Sequence, residues 1–238
     1  MSNERFIRTE MLVGHEGMDK LKNAHVAVFG VGGVGSFTAE SLARAGVGAI
    51  TLIDFDTVDI SNINRQIHAL TSTVGMSKVK LMHDRILQIN PECKVTSLDT
   101  IFNSETVDEI FNIEWDYVVD AIDMVSSKIL LVETCHKHEV RIMASMGTGN
   151  KMDPTKFKVA DIFKSRMCPL AKVMRREFKR RNIKKLKVVY STEDPIVPIP
   201  LVVDEKIARK QIPGSLSFVP SVAGLIITSE VVKDLLEA

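Results

Sequence analysis

The 238-residue chain has no CxxC pair, and its three cysteines, Cys93, Cys135 and Cys168, are odd in number and far apart. Neither a disulfide framework nor a structural zinc site is written in that spacing, so all three are read as reduced thiols. The histidines, among them His68, His83, His136 and His138, have no metal-ligand spacing; His136 and His138 cannot share a helix face. Long apolar runs are also missing. The most apolar stretch of the tail, Val219 to Ile227, is cut by Ser229 and Glu230, well short of the roughly 20 residues a membrane span requires. Met1 to Glu10 is polar and charged, without the apolar centre of a secretory signal, so a cytoplasmic location with no membrane partner is expected. No internal repeat occurs. A net charge of only +1 means that overall electrostatics does not point to nucleic acid.

What is present is enough apolar material, 45% of residues, for a full core at the upper end of single-domain size. His25 to Phe29 reads as a strand, Val34 to Ala45 as a helix and Ala49 to Ile53 as a second strand. Ser77 is placed as the N-cap of a helix with Val79, Met82, Ile86 and Ile89 on one face, stopped at Asn90-Pro91. Lys94 to Leu98, Tyr117 to Asp120 and Arg141 to Ser145 follow as strands, with helices at Glu105 to Phe111 and Ser127 to His138 between them. This alternation predicts an α/β fold: a Rossmann-like, doubly wound, mainly parallel sheet with a ligand site at the strand carboxyl ends. After Gly147 the pattern changes. Thr148 to Thr155 is turn-rich, Pro169 to Arg181 is a basic amphipathic helix, and Lys187 to Ser191 is another strand. Pro195, Pro198 and Pro200 exclude long regular structure, and Val219 to Leu236 reads as a helix packing back on the sheet. Residues 1–150 are therefore expected to form a nucleotide-binding core, and 151–238 a substrate-binding extension and packing helix of the same domain.

Gly30-Val31-Gly32-Gly33-Val34-Gly35 follows a strand and opens a helix, the setting in which glycines let backbone N–H groups approach phosphate. Asp54 ends the next strand, where an acid accepts hydrogen bonds from ribose hydroxyls. These features suit NAD or ATP equally. Asp54-Phe55-Asp56, then Asn62 to Gln66 and Gly75-Met76-Ser77-Lys78, break the tie: Arg65 and Lys78 are fixed cations suited to charge growing on a displaced pyrophosphate. Asp54 and Lys78 are both expected on exposed strand-end loops. Asp120-Ala121-Ile122-Asp123 ends an apolar strand at the ligand edge, and one of its acids could hold Mg²⁺ against phosphates. Lys172 to Lys187 holds nine basic residues and one acidic, a net of +8. Lys172, Arg175, Arg176, Lys179, Arg180 and Arg181 accompany an apolar stripe of Leu170, Val173, Met174 and Phe178, so charges face outward and suit a nucleic-acid phosphate backbone.

Together these elements resemble the ThiF/MoeB-type adenylating superfamily, relatives of ubiquitin-activating enzymes. The resemblance rests on Arg5-Phe6-Ile7-Arg8, the glycine turn, Asp54-Phe55-Asp56, Asn62 to Gln66, Gly75 to Lys78 and Asp120 to Asp123. It implies ATP as cofactor, with Gly33 and Asp54 at the adenosine, Asp56 among the ATP-contacting acids, and Asn62, Arg65 and Lys78 at the phosphates. It also implies Asp123 as the Mg²⁺ or phosphate-side acid, and a homodimer in which Arg8 reaches the partner's triphosphate. Arg8 lies 17 positions before the first strand, and Met11 to Leu21, with Gly14 and Gly17, gives the length to leave its own subunit. Where the family often has Asn after the last acid, this chain has Met124.

Within the superfamily, Asp161-Ile162, Pro169-Leu170-Ala171, Tyr190-Ser191-Thr192-Glu193, Gly214-Ser215 and Val219-Pro220-Ser221 are similar to the tRNA threonylcarbamoyladenosine dehydratase group. That similarity implies a ligase-type, ATP-dependent cyclisation on an adenosine beside the anticodon: the threonine carboxylate is adenylated, and ring closure expels AMP. No protein nucleophile is needed for it. A monovalent cation and a cysteine desulfurase or sulfur-acceptor partner are further associations of the group. Three alternatives stay open: activation of the C-terminus of a ubiquitin-like sulfur carrier, a nicotinamide oxidoreductase, and a non-catalytic tRNA-binding or sulfur-relay partner.

Overall fold

The computed structural model describes residues 4–199 and 213–237. Its strands are β1 (His25–Phe29), β2 (Ala49–Ile53), β3 (Lys94–Leu98), β4 (Tyr117–Asp120), β5 (Arg141–Ser145), β6 (Phe157–Asp161) and β7 (Lys187–Ser191). Its helices are α1 (Ile7–Asn23), α2 (Gly35–Ala45), α3 (Lys78–Ile89), α4 (Val107–Ile110), α5 (Val125–Lys137), α6 (Pro169–Arg180) and α7 (Phe218–Leu236).

Among the described residues one seven-stranded sheet runs in the order β3-β2-β1-β4-β5-β7-β6. Every pair is parallel except β6 with β7. Parallel strands are covered on both faces, which is why β1, β2 and β4 read as unbroken apolar runs and are almost wholly buried. On one face Leu42, Val79, Met82 and Ile86 of α2 and α3 pack with Val219, Ala223, Ile227 and Val231 of α7. The opposite face is covered by Ile129 and Val132 of α5 with Ala171, Met174 and Phe178 of α6, and by an aromatic group of Phe29, Phe102 and Trp115. Strand order reverses between β1 and β4, the point at which an open α/β sheet leaves a crevice for a ligand.

Two elements differ from the sequence reading. β6 falls just after the stretch read as turn-rich; it pairs on one side only, so it carries Lys158 and Asp161 in place of a continuous apolar run. α1 was not expected because Gly14 and Gly17 interrupt it, and Gly14 does break the helix with φ +73°. The stretch after Gly14 stays on its own chain, with Leu21 fully buried and Lys20 Nζ donating to the Leu236 carbonyl at 2.8 Å. Length to leave the subunit therefore belongs only to the part before Gly14, where Met11 and Leu12 are 76% and 89% exposed. Among the described residues no helix is long and apolar enough to cross a membrane. Of the three prolines expected to exclude regular structure, Pro200 lies outside the described residues.

Candidate active site at the carboxyl edge of the sheet

The chain leaves β1 through Gly30 to Gly35 and enters α2. Gly30 has φ +84°, and a Cβ there would lie 2.6 Å from the Ala121 carbonyl oxygen; at Gly35 it would lie 1.8 Å from the Gly30 carbonyl oxygen. Only glycine fits either place. Gly33 is backed by Pro220 and by the Arg65 stem, but a Cβ on Gly32 would meet nothing nearer than Gln66 Nε2 at 3.8 Å. The N–H groups of Gly32, Gly33 and Val34 meet no acceptor among the described residues. Open donors before a helix N-terminus form an anion seat, and the residues present fit a nucleotide phosphate.

Asp54, just past β2, accepts from Val31 N–H at 2.6 Å and from Asp56 N–H at 2.8 Å. Burial pushes its carboxyl above the ordinary range, against the pull of Lys78 and of those two amides. The carboxylate thus braces the glycine turn from below. Lys78 is not on an exposed loop: it opens α3 with its side chain only 6% exposed, and its Nζ meets Asp56 Oδ2 at 2.7 Å. Asp56 also accepts the Lys78 backbone N–H at 3.2 Å. Read from sequence as an ATP-contacting acid, Asp56 is here the counter-ion of Lys78, since a buried ammonium requires an anion nearby. Ser77 occupies the N-cap position of α3, yet its hydroxyl makes no cap bond and is buried without a partner.

Asn62 is buried, and its Oδ1 is taken up by the Asp59 N–H at 3.1 Å, leaving the amide nitrogen for a ligand. Arg65 is half-buried and donates to the Ser61 carbonyl and to Asn64 Oδ1, at 2.8 and 2.9 Å. Gln66 and His68 are buried with unpartnered atoms, Oε1 of the first and both ring nitrogens of the second. Burial first, then Lys78 and Arg85, lower His68 to about 4, so the ring is neutral near pH 7.

The two acids ending β4 separate. Asp120 and Lys128 are both 0% exposed and paired at 2.9 Å, with Lys128 Nζ also donating to the Ile122 carbonyl at 2.9 Å. Burial drives the Asp120 carboxyl upward while Lys128 pulls it down. An enclosed pair cannot reach a metal on a bound ligand. Asp123 is exposed and makes no contact with another described polar group, so the single-carboxylate, phosphate-shared mode usual for Mg²⁺ fits Asp123 and not Asp120. Among the described residues no three His, Cys, Asp or Glu side chains are grouped to hold a metal by themselves. Lys128 escaped the sequence reading; its only signal was a lone lysine ahead of the apolar run Ile129 to Val132.

Arg8 lies on the exposed first turn of α1. On α6, Lys172, Arg176, Lys179 and Arg180 are exposed, as is the following Arg181. Arg175 instead turns back to the Ser165 carbonyl and hydroxyl, at 3.1 and 2.6 Å, and Arg181 is shared by Glu133 and Glu177. All three cysteines are buried free thiols; burial raises Cys93 to about 11 and pushes Cys135 higher still. None is placed as a nucleophile.

Comparison with known proteins adds three findings. A model described as the ThiF family matches residues 6–238. The chain is 50% identical over 241 residues to the tRNA threonylcarbamoyladenosine dehydratase of Bacillus subtilis (strain 168), covering 98% of this chain and 95% of that protein. The crystal structure of the E. coli tRNA N6-threonylcarbamoyladenosine dehydratase in complex with ATP is similar at a TM-score of 0.89 and 36% identity, covering 98% of this chain and 94% of that one.

Proposed function

The chain belongs to the ThiF family, and from that premise we propose that it is an ATP-dependent, ligase-type tRNA threonylcarbamoyladenosine dehydratase acting in the cytoplasm. The open amides of Gly32, Gly33 and Val34, on the turn that Asp54 braces, carry the reading: they offer a phosphate seat in a protein half identical to a named dehydratase. Residues 1–150 hold ATP and 151–238 receive the tRNA.

In this reading Gly30, Gly32, Gly33 and Gly35 shape the phosphate turn, Asp54 holds the ribose end, and Asn62, Arg65 and Lys78 face the phosphates. Asp123 would hold Mg²⁺, which when bound spreads the phosphate charge. A threonine carboxylate oxygen attacks the α-phosphorus and pyrophosphate leaves. The nucleophilic atom of the carbamoyl group on the same base then attacks the activated carbonyl, loses its proton and expels AMP. The oxygen lost from the substrate departs in AMP, so the base is lighter by one water. Arg65 and Lys78 act as cations on the departing pyrophosphate. Asp56 works through Lys78, holding its ammonium in place while the site is empty.

Lys172, Arg176, Lys179 and Arg180 supply phosphate contacts for tRNA, with Arg175 and Arg181 holding the helix in place. The active unit is a homodimer in which Arg8 serves the partner's site, a role suited to the exposed Ile7, Met11 and Leu12 ahead of the break at Gly14. The test is mass analysis of tRNA nucleosides after incubation with protein and ATP. Loss of one water from threonylcarbamoyladenosine, with AMP and pyrophosphate formed one for one, is expected; an unaltered nucleoside overturns the proposal.

A further inference from the structure

The glycine turn after β1 has a counterpart two strands away. Gly147, Thr148 and Gly149 follow the end of β5, between Met146, whose N–H bonds the Val189 carbonyl at 2.8 Å, and Asn150, whose N–H bonds the Gly214 carbonyl at 2.8 Å. None of the three intervening amides, nor the Thr148 hydroxyl, meets an acceptor or donor among the described residues, and all three residues are only partly exposed. Leaving three successive amides and a hydroxyl without protein partners is costly unless solvent or a ligand takes them.

Gly147 sharpens the point. Its φ is not in the left-handed region, and a Cβ there would touch only Cys168 Sγ and the Leu170 Cβ, at an ordinary 3.8 Å. Neither backbone conformation nor packing asks for glycine. Gly149 is different, because a Cβ there would lie 2.8 Å from the Pro213 Cβ. The match to Gly147 is Gly32, another unstrained glycine with free space over it, on the loop where phosphate would lie.

Position supplies the chemistry. In the sheet order β1, β4 and β5 are neighbours, so the two open-amide loops flank the end of β4, where Asp123 sits. Two strand spacings separate β1 from β5, about 10 Å, a span that fits a phosphate on one loop and the anion that attacks it on the other. Cys168 and Leu170, which wall Gly147, belong to the N-cap and first turn of α6, whose dipole also favours an anion.

We propose that Gly147–Gly149 is the seat of the substrate carboxylate: its amides receive the carboxylate of the threonyl arm, and the bare face of Gly147 admits the arm. The inference rests on the dehydratase reading. The same donors would face the carbonyl oxygen as ring closure places negative charge on it before the C–O bond to AMP breaks.

Gly147→Ala and Gly147→Val test it, with melting temperature, ATP affinity and steady-state kinetics read on each. The alanine variant should melt and bind ATP as the parent does, since nothing near Gly147 is displaced by a methyl; the valine variant is compared with the parent on both readouts before its KM is read. KM for threonylcarbamoyladenosine-bearing tRNA should rise about 10-fold in the alanine variant, the usual effect of one added carbon in a fitted pocket, and further with valine. An unchanged KM for the tRNA in both variants overturns the seat, as does a KM change that merely follows lost stability or lost ATP affinity. An inactive parent protein overturns the dehydratase reading and the seat with it; an active parent with indifferent variants overturns the seat alone.

Discussion

Among the lysine–aspartate pairs at strand ends of this sheet, the one after β2 and the one at the end of β4 differ most usefully in what surrounds them. Lys78 and Asp56 meet at 2.7 Å with the carboxylate 49% exposed, at the crevice beside the open glycine turn. Lys128 and Asp120 meet at 2.9 Å with both groups at 0% exposure, beneath it. The half-open pair can give its lysine to a phosphate, because solvent can take over the carboxylate. The closed pair cannot separate without stranding two charges in a medium of low polarity. The same two residue types thus leave a cation within reach of the crevice in one place and make a structural tie in the other.

The largest effect that would sharpen this contrast is on stability. Lys128→Ala leaves Asp120 enclosed with one amide partner and should cost about 3–5 kcal/mol. At about 2–4 °C per kcal/mol for a chain of this size, a fall in melting temperature of roughly 10 °C is expected. A fall of only a degree or two would make the two pairs equivalent. Next comes Lys78→Ala, which should lower ATP-dependent turnover by about 10²–10³-fold, the range for losing one charge-stabilising donor, with a much smaller thermal effect. Mixed with an Arg8→Ala chain under subunit exchange, it should regain activity through sites that draw Arg8 and Lys78 from different chains. A mixture as dead as its parents excludes action in trans.

A smaller effect concerns acid. His68 sits between the two pairs in kind: buried like Lys128, but held neutral rather than paired. Its folded value of about 4 lies below the ordinary 6.5, so the unfolded chain takes up the proton first as pH falls. Stability is complete above about pH 6.5 and declines towards pH 4, with a loss of about 2 kcal/mol by pH 5. Urea unfolding of the parent and of His68→Leu at pH 7 and pH 5 should show that dependence shrinking in the variant; equal dependence in the two removes His68 as its source. The smallest effect is on α6. Lys172→Glu with Lys179→Glu should weaken tRNA binding and lower its salt slope by about 2, leaving ATP affinity alone. Arg175 is better left intact, because its reversal would release the Ser165 loop and confuse the reading.

The framework was legible in the sequence because parallel strands such as Val26 to Phe29 and Tyr117 to Val119 announce burial on both faces. β6 was not, since an edge strand with Lys158 and Asp161 looks like the turns around it. The glycine turn, Asp54, Arg65 and Lys78 were picked out by residue type and offset, Asn62 only through the family resemblance, and all lie at one end of the sheet. Their partners could not be read that way. Nothing in Asp54-Phe55-Asp56 says that the second acid faces Lys78, and nothing around Asp120 says that the lysine eight residues later turns inward to meet it. Partnership across the fold is a property of packing, and one sequence records only the candidates.

The two outermost strands have a consequence for how the protein behaves at high concentration. Among the described residues β3 and β6 each leave one row of backbone donors and acceptors without a strand partner, which is the surface on which sheets join edge to edge into aggregates. Both rows are short, five residues each, and both are charged: Lys94 is exposed on β3, Lys158 is exposed on β6, and Pro154 lies just ahead of β6. A lysine projecting from each margin opposes a second sheet adding there. Neutralising Lys94 and Lys158 together should therefore leave folding and turnover intact while shortening the time a concentrated solution stays clear.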